Sequence, residues 1–231
     1  MDRFTRKELK SDKFAEEVGQ TIEFLEVHRR QAYIVGAAIV LVILIGVGAF
    51  QYLKQQRGAR QEALREAIRT YDAPIGEANP LIKTFATQQE KDAAVQETLQ
   101  GLIEKYPGSD EAIVATYYLG VAAANKGLLD EAEKHFRGVL DKGNKEHASQ
   151  AAYTLAQILN SRGETAEAEQ LLRNLIEKPT VLVSKEQATI ALAQMLAERD
   201  PAEARKLLEP LRTERSAVSR AAISLLGQLE R

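Results

Sequence analysis

Histidine is the side chain best suited to bind a metal or to exchange protons near neutral pH, and the chain has three: His28, His135 and His147. None of them has a second ligand at the spacing of a metal site, and the chain contains no cysteine. A thiolate zinc site and a disulfide are therefore both excluded. We expect the three histidines to be exposed surface residues that hold no metal.

Phosphate binding and carboxylate chemistry are the other possibilities to consider. Gly46 and Gly48 have the spacing that begins a glycine-rich nucleotide loop, but they lie in a long apolar stretch with Gln51 where a third glycine is needed. Carboxylates are frequent at Asp130, Glu131 and residues 164–169, where they fit the solvated faces of amphipathic helices. The sequence therefore predicts no enzyme activity, no cofactor and no small-molecule substrate.

The charge balance argues against nucleic acid as a partner. The chain has 31 basic and 33 acidic residues, with a net charge of −2. Binding to phosphates requires a surplus of Lys and Arg on one face, and the sequence has no such face. We predict that the protein does not bind nucleic acid.

Residues 31–53 contain no charged side chain, whereas residues 1–30 contain seven basic and seven acidic ones. A helix of about 20 residues crosses the roughly 30 Å hydrocarbon core of a bilayer, so residues 31–53 are long enough to span one. Tyr33, Phe50 and Tyr52 stand at the two ends, where aromatic rings prefer the headgroup layer. The basic residues that close the ends are Arg29, Arg30, Lys54 and Arg57. We predict a transmembrane helix over residues 31–53.

A cleaved signal peptide is the alternative interpretation of this segment, since residues 47–49 are small. The charged leader and the apolar run are both too long for a signal peptide, so we favour an uncleaved anchor. The orientation stays open from charge alone, because basic residues lie on both sides of the segment.

Residues 1–30 form a tail with the spacing of an amphipathic helix, in which Phe14, Val18, Ile22 and Leu25 share one stripe. One interpretation is a helix that lies on the membrane surface or binds a membrane partner. The other is a helical stub that stiffens the approach to the span. Equal numbers of acidic and basic residues argue against an anionic lipid surface, but both interpretations stay open.

The sequence repeats itself beyond the apolar segment. A helical lead-in and an elbow occupy residues 54–80, where prolines and a glycine end any helix. Within residues 81–231, similar residue types recur at an interval of 36 positions. Gly120, Gly127, Ala132 and Phe136 are followed by Ala156, Gly163, Ala168 and Leu172, and a third copy contains Leu192, Ala193, Ala204 and Leu208.

Small residues at these positions let paired helices approach closely, while large apolar residues fill the space between them. A period of about 34 residues with this pattern is the signature of tetratricopeptide repeats, although Thr116 replaces the usual aromatic residue early in the first helix. We therefore predict an all-α fold, in which a single N-terminal transmembrane helix precedes a tetratricopeptide-like solenoid. About three and a half repeats and a terminal helix, over residues 81–231, suffice to bury its core.

First helices of stacked repeats usually line a concave groove, and the side chains expected there are polar but uncharged. Asn and Gln can bond an extended peptide and Tyr can anchor one, whereas the lack of Lys and Arg argues against capture of a terminal carboxylate. A solvated helix face is the alternative. The candidate protein-binding residues are Val114, Tyr117, Val121, Asn125, Gln150, Tyr153, Gln157, Asn160, Gln187, Ile190 and Gln194.

The charged tail, the single span, the helical lead-in, the YPGSDEA turn at Tyr106 to Ala112 and the degenerate repeats follow one another in this order. This layout resembles that of bacterial ancillary subunits of the Sec translocon. The resemblance implies an inner-membrane protein with a cytoplasmic N-terminus and periplasmic repeats, linking the Sec translocon to periplasmic chaperones. A cell-envelope or cell-division scaffold is one alternative, and a holdase chaperone that binds unfolded clients is another.

Overall fold

A computed structural model describes residues 29–78, 81–213 and 217–229. Residues 1–28 of the predicted amphipathic tail (residues 1–30), with His28, lie outside these described residues. The described residues form nine α-helices and one short 3-10 helix. In chain order the α-helices are α1 (Arg29–Asp72), α2 (Gln88–Lys105), α3 (Asp110–Asn125), α4 (Leu129–Lys142), α5 (Lys145–Ser161), α6 (Thr165–Glu177), α7 (Lys185–Leu196), α8 (Pro201–Leu208) and α9 (Ala217–Leu229); the 3-10 helix, Glu209–Thr213, lies between α8 and α9.

The chain divides into two compact units, residues 1–58 and residues 59–231. In the first unit, α1 carries the apolar segment, whose large apolar side chains from Tyr33 to Leu53 are 54–77% exposed. This helix is long and apolar enough to cross a membrane. The helix continues to Asp72, so the predicted junction at residue 53 is not marked by a break. The predicted domain boundaries at residues 30, 53 and 80 stay predictions.

In the second unit, the first helices α3, α5 and α7 begin where the sequence supplies a capping side chain. Ser109 Oγ accepts a hydrogen bond from the Ala112 amide at 3.1 Å, and Asn144 Oδ1 accepts one from the His147 amide at 3.0 Å. Ser184 Oγ likewise accepts from the amide of Gln187 at 3.1 Å. Each bond satisfies one of the amides that the first turn of a helix leaves free, so these residues fix where α3, α5 and α7 start.

The turns within the repeats depend on glycine. Gly127 ends α3 with φ 76° and Gly163 ends α5 with φ 81°, a left-handed conformation that is unfavourable for residues with a Cβ atom. Beyond Gly163, the Glu164 amide donates to the Leu159 carbonyl oxygen at 2.8 Å, which satisfies a carbonyl group at the helix end. The recurrence of Gly127 as Gly163 therefore reflects the same turn in two repeats.

Helix pairing buries the small and large residues that recur in the sequence. Ala132, Phe136, Ala168 and Leu172 are all at most 2% exposed. A Cβ atom placed on Gly120 would lie 3.0 Å from two ring carbons of Phe136, so glycine allows α3 and α4 to approach this closely. The all-α, tetratricopeptide-like fold with tandem helices is confirmed.

The end of α1 takes part in the core of the second unit. Ala67 is fully buried, in one cluster with Val95, Leu99 and Leu119 of α2 and α3. Arg60 Nε lies 3.5 Å from Glu111 Oε2, on α3. Residues 59–72 thus pack in one core with α2 and α3, a role that could not be predicted for the lead-in from its sequence.

Candidate protein-interaction surfaces

The eleven predicted groove residues lie on the first helices α3, α5 and α7. Five of them are exposed: Asn125, Gln157, Asn160, Gln187 and Gln194. The other six are partly buried. A partner that binds this face would therefore meet a surface of amide side chains, and the assignment of these residues to a binding groove stays a prediction.

Tyr117 is engaged within the chain. Its hydroxyl lies 3.2 Å from Thr154 Oγ1 on α5, and its ring packs edge-on against Phe136 with centroids 5.4 Å apart. Tyr153 also packs against the core. Both tyrosines are partly buried, so their ability to anchor a peptide is limited to the part of each ring that stays accessible.

A second aromatic contact, which the sequence analysis missed, lies where α1 meets α3. The rings of Tyr71 and Tyr118 pack edge-on with centroids 5.0 Å apart, and Asn125 Nδ2 donates to the Tyr71 hydroxyl at 3.4 Å. Burial raises the pKa of both tyrosines above the ordinary value. Asn125, predicted as a groove residue, is thus partly occupied by a contact within the chain.

The second helices carry a repeated set of Arg–Glu bridges. Arg137 on α4 donates from Nε to Glu133 at 2.7 Å and from both Nη atoms to Glu167 on α6, at 2.8 and 3.1 Å. Arg162, at the end of α5, donates to Glu133 at 2.7 Å. Hydrogen bonding from Arg137 lowers the pKa of the Glu167 carboxyl.

The same bridge recurs one repeat later. Arg173 on α6 bonds Glu169 at 2.8 Å and Glu203 on α8 at 2.5 Å, and Arg199 donates to Glu169 at 2.6 Å. Hydrogen bonding from Arg173 is the main cause of the lowered pKa of Glu169. The sequence predicts solvated faces for the carboxylates of residues 164–169, whereas Glu167 and Glu169 accept bridges from arginines. Glu133 and Arg137 recur 36 positions later as Glu169 and Arg173.

The two described histidines are partly buried rather than exposed. His135 on α4 faces the close approach of α3, since its Cβ lies 3.2 Å from where a Cβ of Gly120 would stand. Burial lowers the pKa of His135 below its ordinary value, although Glu131 lies 3.8 Å from its Nε2. Among the described residues, no group of three His, Asp or Glu side chains is arranged to hold a metal ion.

Comparison with known proteins agrees with this helix pairing. A family model described as a tetratricopeptide repeat-like domain matches residues 29–179, more than half of the chain. A solved structure of a tetratricopeptide repeat protein from Parabacteroides merdae matches with a TM-score of 0.52 and 18% sequence identity. The match covers 73% of this chain and 60% of the solved chain, and at this identity it shows the fold alone. No curated protein matches the chain. The chain belongs to the tetratricopeptide repeat-like domain family.

Proposed function

We propose that this protein is a membrane-anchored protein-interaction module. The observation that carries the proposal is the coexistence of two features in one chain: an apolar helix segment with its side chains exposed, and a tetratricopeptide-like repeat fold. Folds of this kind are typical non-catalytic interaction scaffolds. We therefore assign the repeats to partner binding and the apolar segment to attachment.

The exposed apolar side chains support the membrane anchor. Leu41, Leu44 and Ile45 are each about 60% exposed, and apolar surface in water costs roughly 25 cal/mol per Å². A run of this length is stable when lipid replaces water around it. Tyr33, Phe50 and Tyr52 at its ends are 62–77% exposed, as suits rings that meet headgroups.

We further propose that the N-terminus lies in the cytoplasm and the repeats lie in the periplasm of a bacterial cell. The support is the resemblance in layout to ancillary Sec translocon subunits. Charge counting alone leans towards the opposite orientation, because more basic residues follow the segment than precede it. Long domains are translocated largely regardless of their charge, so this count does not decide the orientation. The partners proposed on the same ground are the Sec translocon and periplasmic chaperones.

Site-specific photo-crosslinking in cell membranes tests the proposed partners. A crosslinker at Gln157, exposed on the first-helix face of α5, should give adducts with translocon subunits or with periplasmic chaperones. A matched crosslinker at Gln170, exposed on the second helix α6, should give few of them. Adducts with division or wall-synthesis proteins would replace the proposal by a cell-envelope scaffold. Adducts with many unfolded clients would replace it by a holdase.

A further inference from the structure

The second helices of successive repeats meet at places that we call junctions: α2/α4 is the first, α4/α6 the second and α6/α8 the third. An arginine crosses the second and third junctions. Arg137 crosses from α4 to Glu167, and Arg173 crosses from α6 to Glu203. In both, the acceptor is the residue just before a buried alanine, Ala168 or Ala204.

The first junction has the acceptor but lacks the arginine. Buried Val95, Leu99 and Leu102 of α2 correspond to buried Ala132, Phe136 and Val139 of α4. Gln100, the residue after Leu99, therefore takes the place that Arg137 takes after Phe136. The acceptor is still present, because Glu131 precedes Ala132 as Glu167 precedes Ala168.

A cleft of about 680 Å³ lies at this first junction. Gln96 and Gln100 line it from α2, Leu119 lies at α3, and Glu131 and His135 line it from α4. Leu119 and Ile103, which also line the cleft, make part of its wall apolar. The cleft therefore combines an apolar surface with a carboxylate at the position where the later junctions hold a bridging guanidinium.

The charges that line the cleft favour a cation. Glu131 lies 3.8 Å from the His135 ring nitrogen Nε2, and burial lowers the pKa of that ring, which disfavours its charged form. Glu104 accepts a long hydrogen bond from Gln100 at 3.4 Å. Asp130 is already paired with Arg162 at 3.0 Å. Lys134 also lines the cleft, and its single charge leaves Glu104 and Glu131 in excess.

We propose that this cleft binds an arginine side chain of a protein partner, whose guanidinium donates to Glu131 as that of Arg137 donates to Glu167. The inference rests on the proposed role as a protein-interaction module and names the chemistry of one partner contact. Arginine is favoured over lysine because its planar guanidinium donates two parallel hydrogen bonds to a carboxylate. Its methylene stem can pack along Ile103 and Leu119.

The test is a two-dimensional NMR titration of the isotope-labelled full chain in detergent micelles. The probe is the capped pentapeptide Gly-Ser-Arg-Ser-Gly, raised to millimolar concentration, with Lys and citrulline peptides as matched probes. We expect saturable shifts of the Gln100, Glu131 and His135 amide signals with the Arg peptide. The neutral citrulline peptide should cause none, and the Lys peptide should bind at least about threefold more weakly because it cannot donate in parallel.

Three variants locate the contact. Glu131→Gln should weaken binding of the Arg peptide by about fivefold or more, as expected for loss of a charge-assisted pair. Gln100→Arg supplies the missing bridge within the chain and should abolish the peptide-induced shifts. Glu167→Gln, at the junction already filled by Arg137, should leave binding unchanged.

Binding that is equal in the wild type and Glu131→Gln, or equal for the Arg and citrulline peptides, would overturn the inference. Glu131→Gln changes an exposed side chain, so its signals also report whether the fold is kept. The outcome is separable from that of the crosslinking experiment. Absence of translocon adducts would refute the proposed partners and leave this titration intact, whereas a failed titration would leave the adducts at Gln157 unaffected.

Discussion

Two stretches of the single helix α1 are rich in apolar or small residues, and they differ in what surrounds them. Between Tyr33 and Leu53 the large apolar side chains are more than half exposed, whereas Ala67 and Thr70 are fully buried. The buried stretch shares a cluster with α2 and α3. The difference teaches that helical periodicity alone does not determine burial: one stretch is covered by protein, and the other requires a different apolar environment.

The largest expected effect is on the core of the repeats, which should unfold more easily while the anchor is unchanged. Phe136 is fully buried, at 0% exposure, and Phe136→Ala leaves a cavity beside Gly120. We expect a loss of about 3–5 kcal/mol in the free energy of unfolding of the repeats, measured by urea denaturation followed by circular dichroism. Membrane attachment of the full chain should be unchanged.

Val181→Ala is the matched control for this truncation, because Val181 is 91% exposed. It should change the free energy of unfolding by less than about 0.5 kcal/mol. Equal effects of the two substitutions would show that the helix packing described around Phe136 is wrong.

The next effect is on the apolar segment, where a substitution should weaken membrane attachment and leave the stability of the repeats unchanged. Leu44→Arg places a charge near the middle of the apolar segment, where insertion of an arginine costs about 2.5–3.5 kcal/mol. Extraction of membranes at alkaline pH should release a much larger share of this variant than of the wild type. The urea midpoint of the repeats should stay the same, and a fall comparable to that of Phe136→Ala would contradict an anchor without a packing role.

A smaller effect sharpens the account of the repeat turns. Gly163 has φ 81°, so Gly163→Ala should cost about 1–2 kcal/mol. Gly101 lies within α2 with nothing within 4 Å of an added Cβ. Gly101→Ala should therefore stabilise by about 0.5–1 kcal/mol, because glycine is a poor helix former. Thermal unfolding of both variants measures the difference, and effects of the same sign would refute the left-handed turn.

The smallest effect concerns pH. Burial lowers the pKa of His135 in the folded protein, so the unfolded chain binds a proton more readily. Stability should therefore fall as the pH drops below about 6.5, the ordinary pKa of histidine, and continue to fall until the folded-state pKa is passed. His135→Leu, which introduces the residue found at position 171, should reduce this decline between pH 7 and pH 5. A slope equal to that of the wild type would exclude His135 as its source.

Most of the fold could be predicted from the sequence because it depends on local signals. The helix pairs follow from small residues at a 36-residue interval, and the turns follow from Gly127 and Gly163. The packing of residues 59–72 in the core could not be predicted from such local signals. No recurrence marks Ala67 as a packing residue, so only the cluster that it shares with α2 and α3 reveals that these residues belong to the core.

The interaction surfaces were less predictable, since they depend on distances between helices. Repeat position placed the amide side chains on the first helices, but it could not show that Tyr117 and Asn125 bond within the chain. The Arg–Glu bridges did have a signal, the recurrence of Glu133 and Arg137 as Glu169 and Arg173. That signal lay in charged positions, where helical amphipathicity predicts solvated side chains.

The most direct test of the membrane-anchored account is the side of the membrane on which the repeats lie. An enzyme reporter that is active only outside the cytoplasm, fused after Arg231 of the full chain, should be active in cells. A second reporter that is active only in the cytoplasm should be inactive at the same position. The opposite pattern, with activity only of the cytoplasmic reporter, would contradict both the periplasmic location and the proposed translocon role.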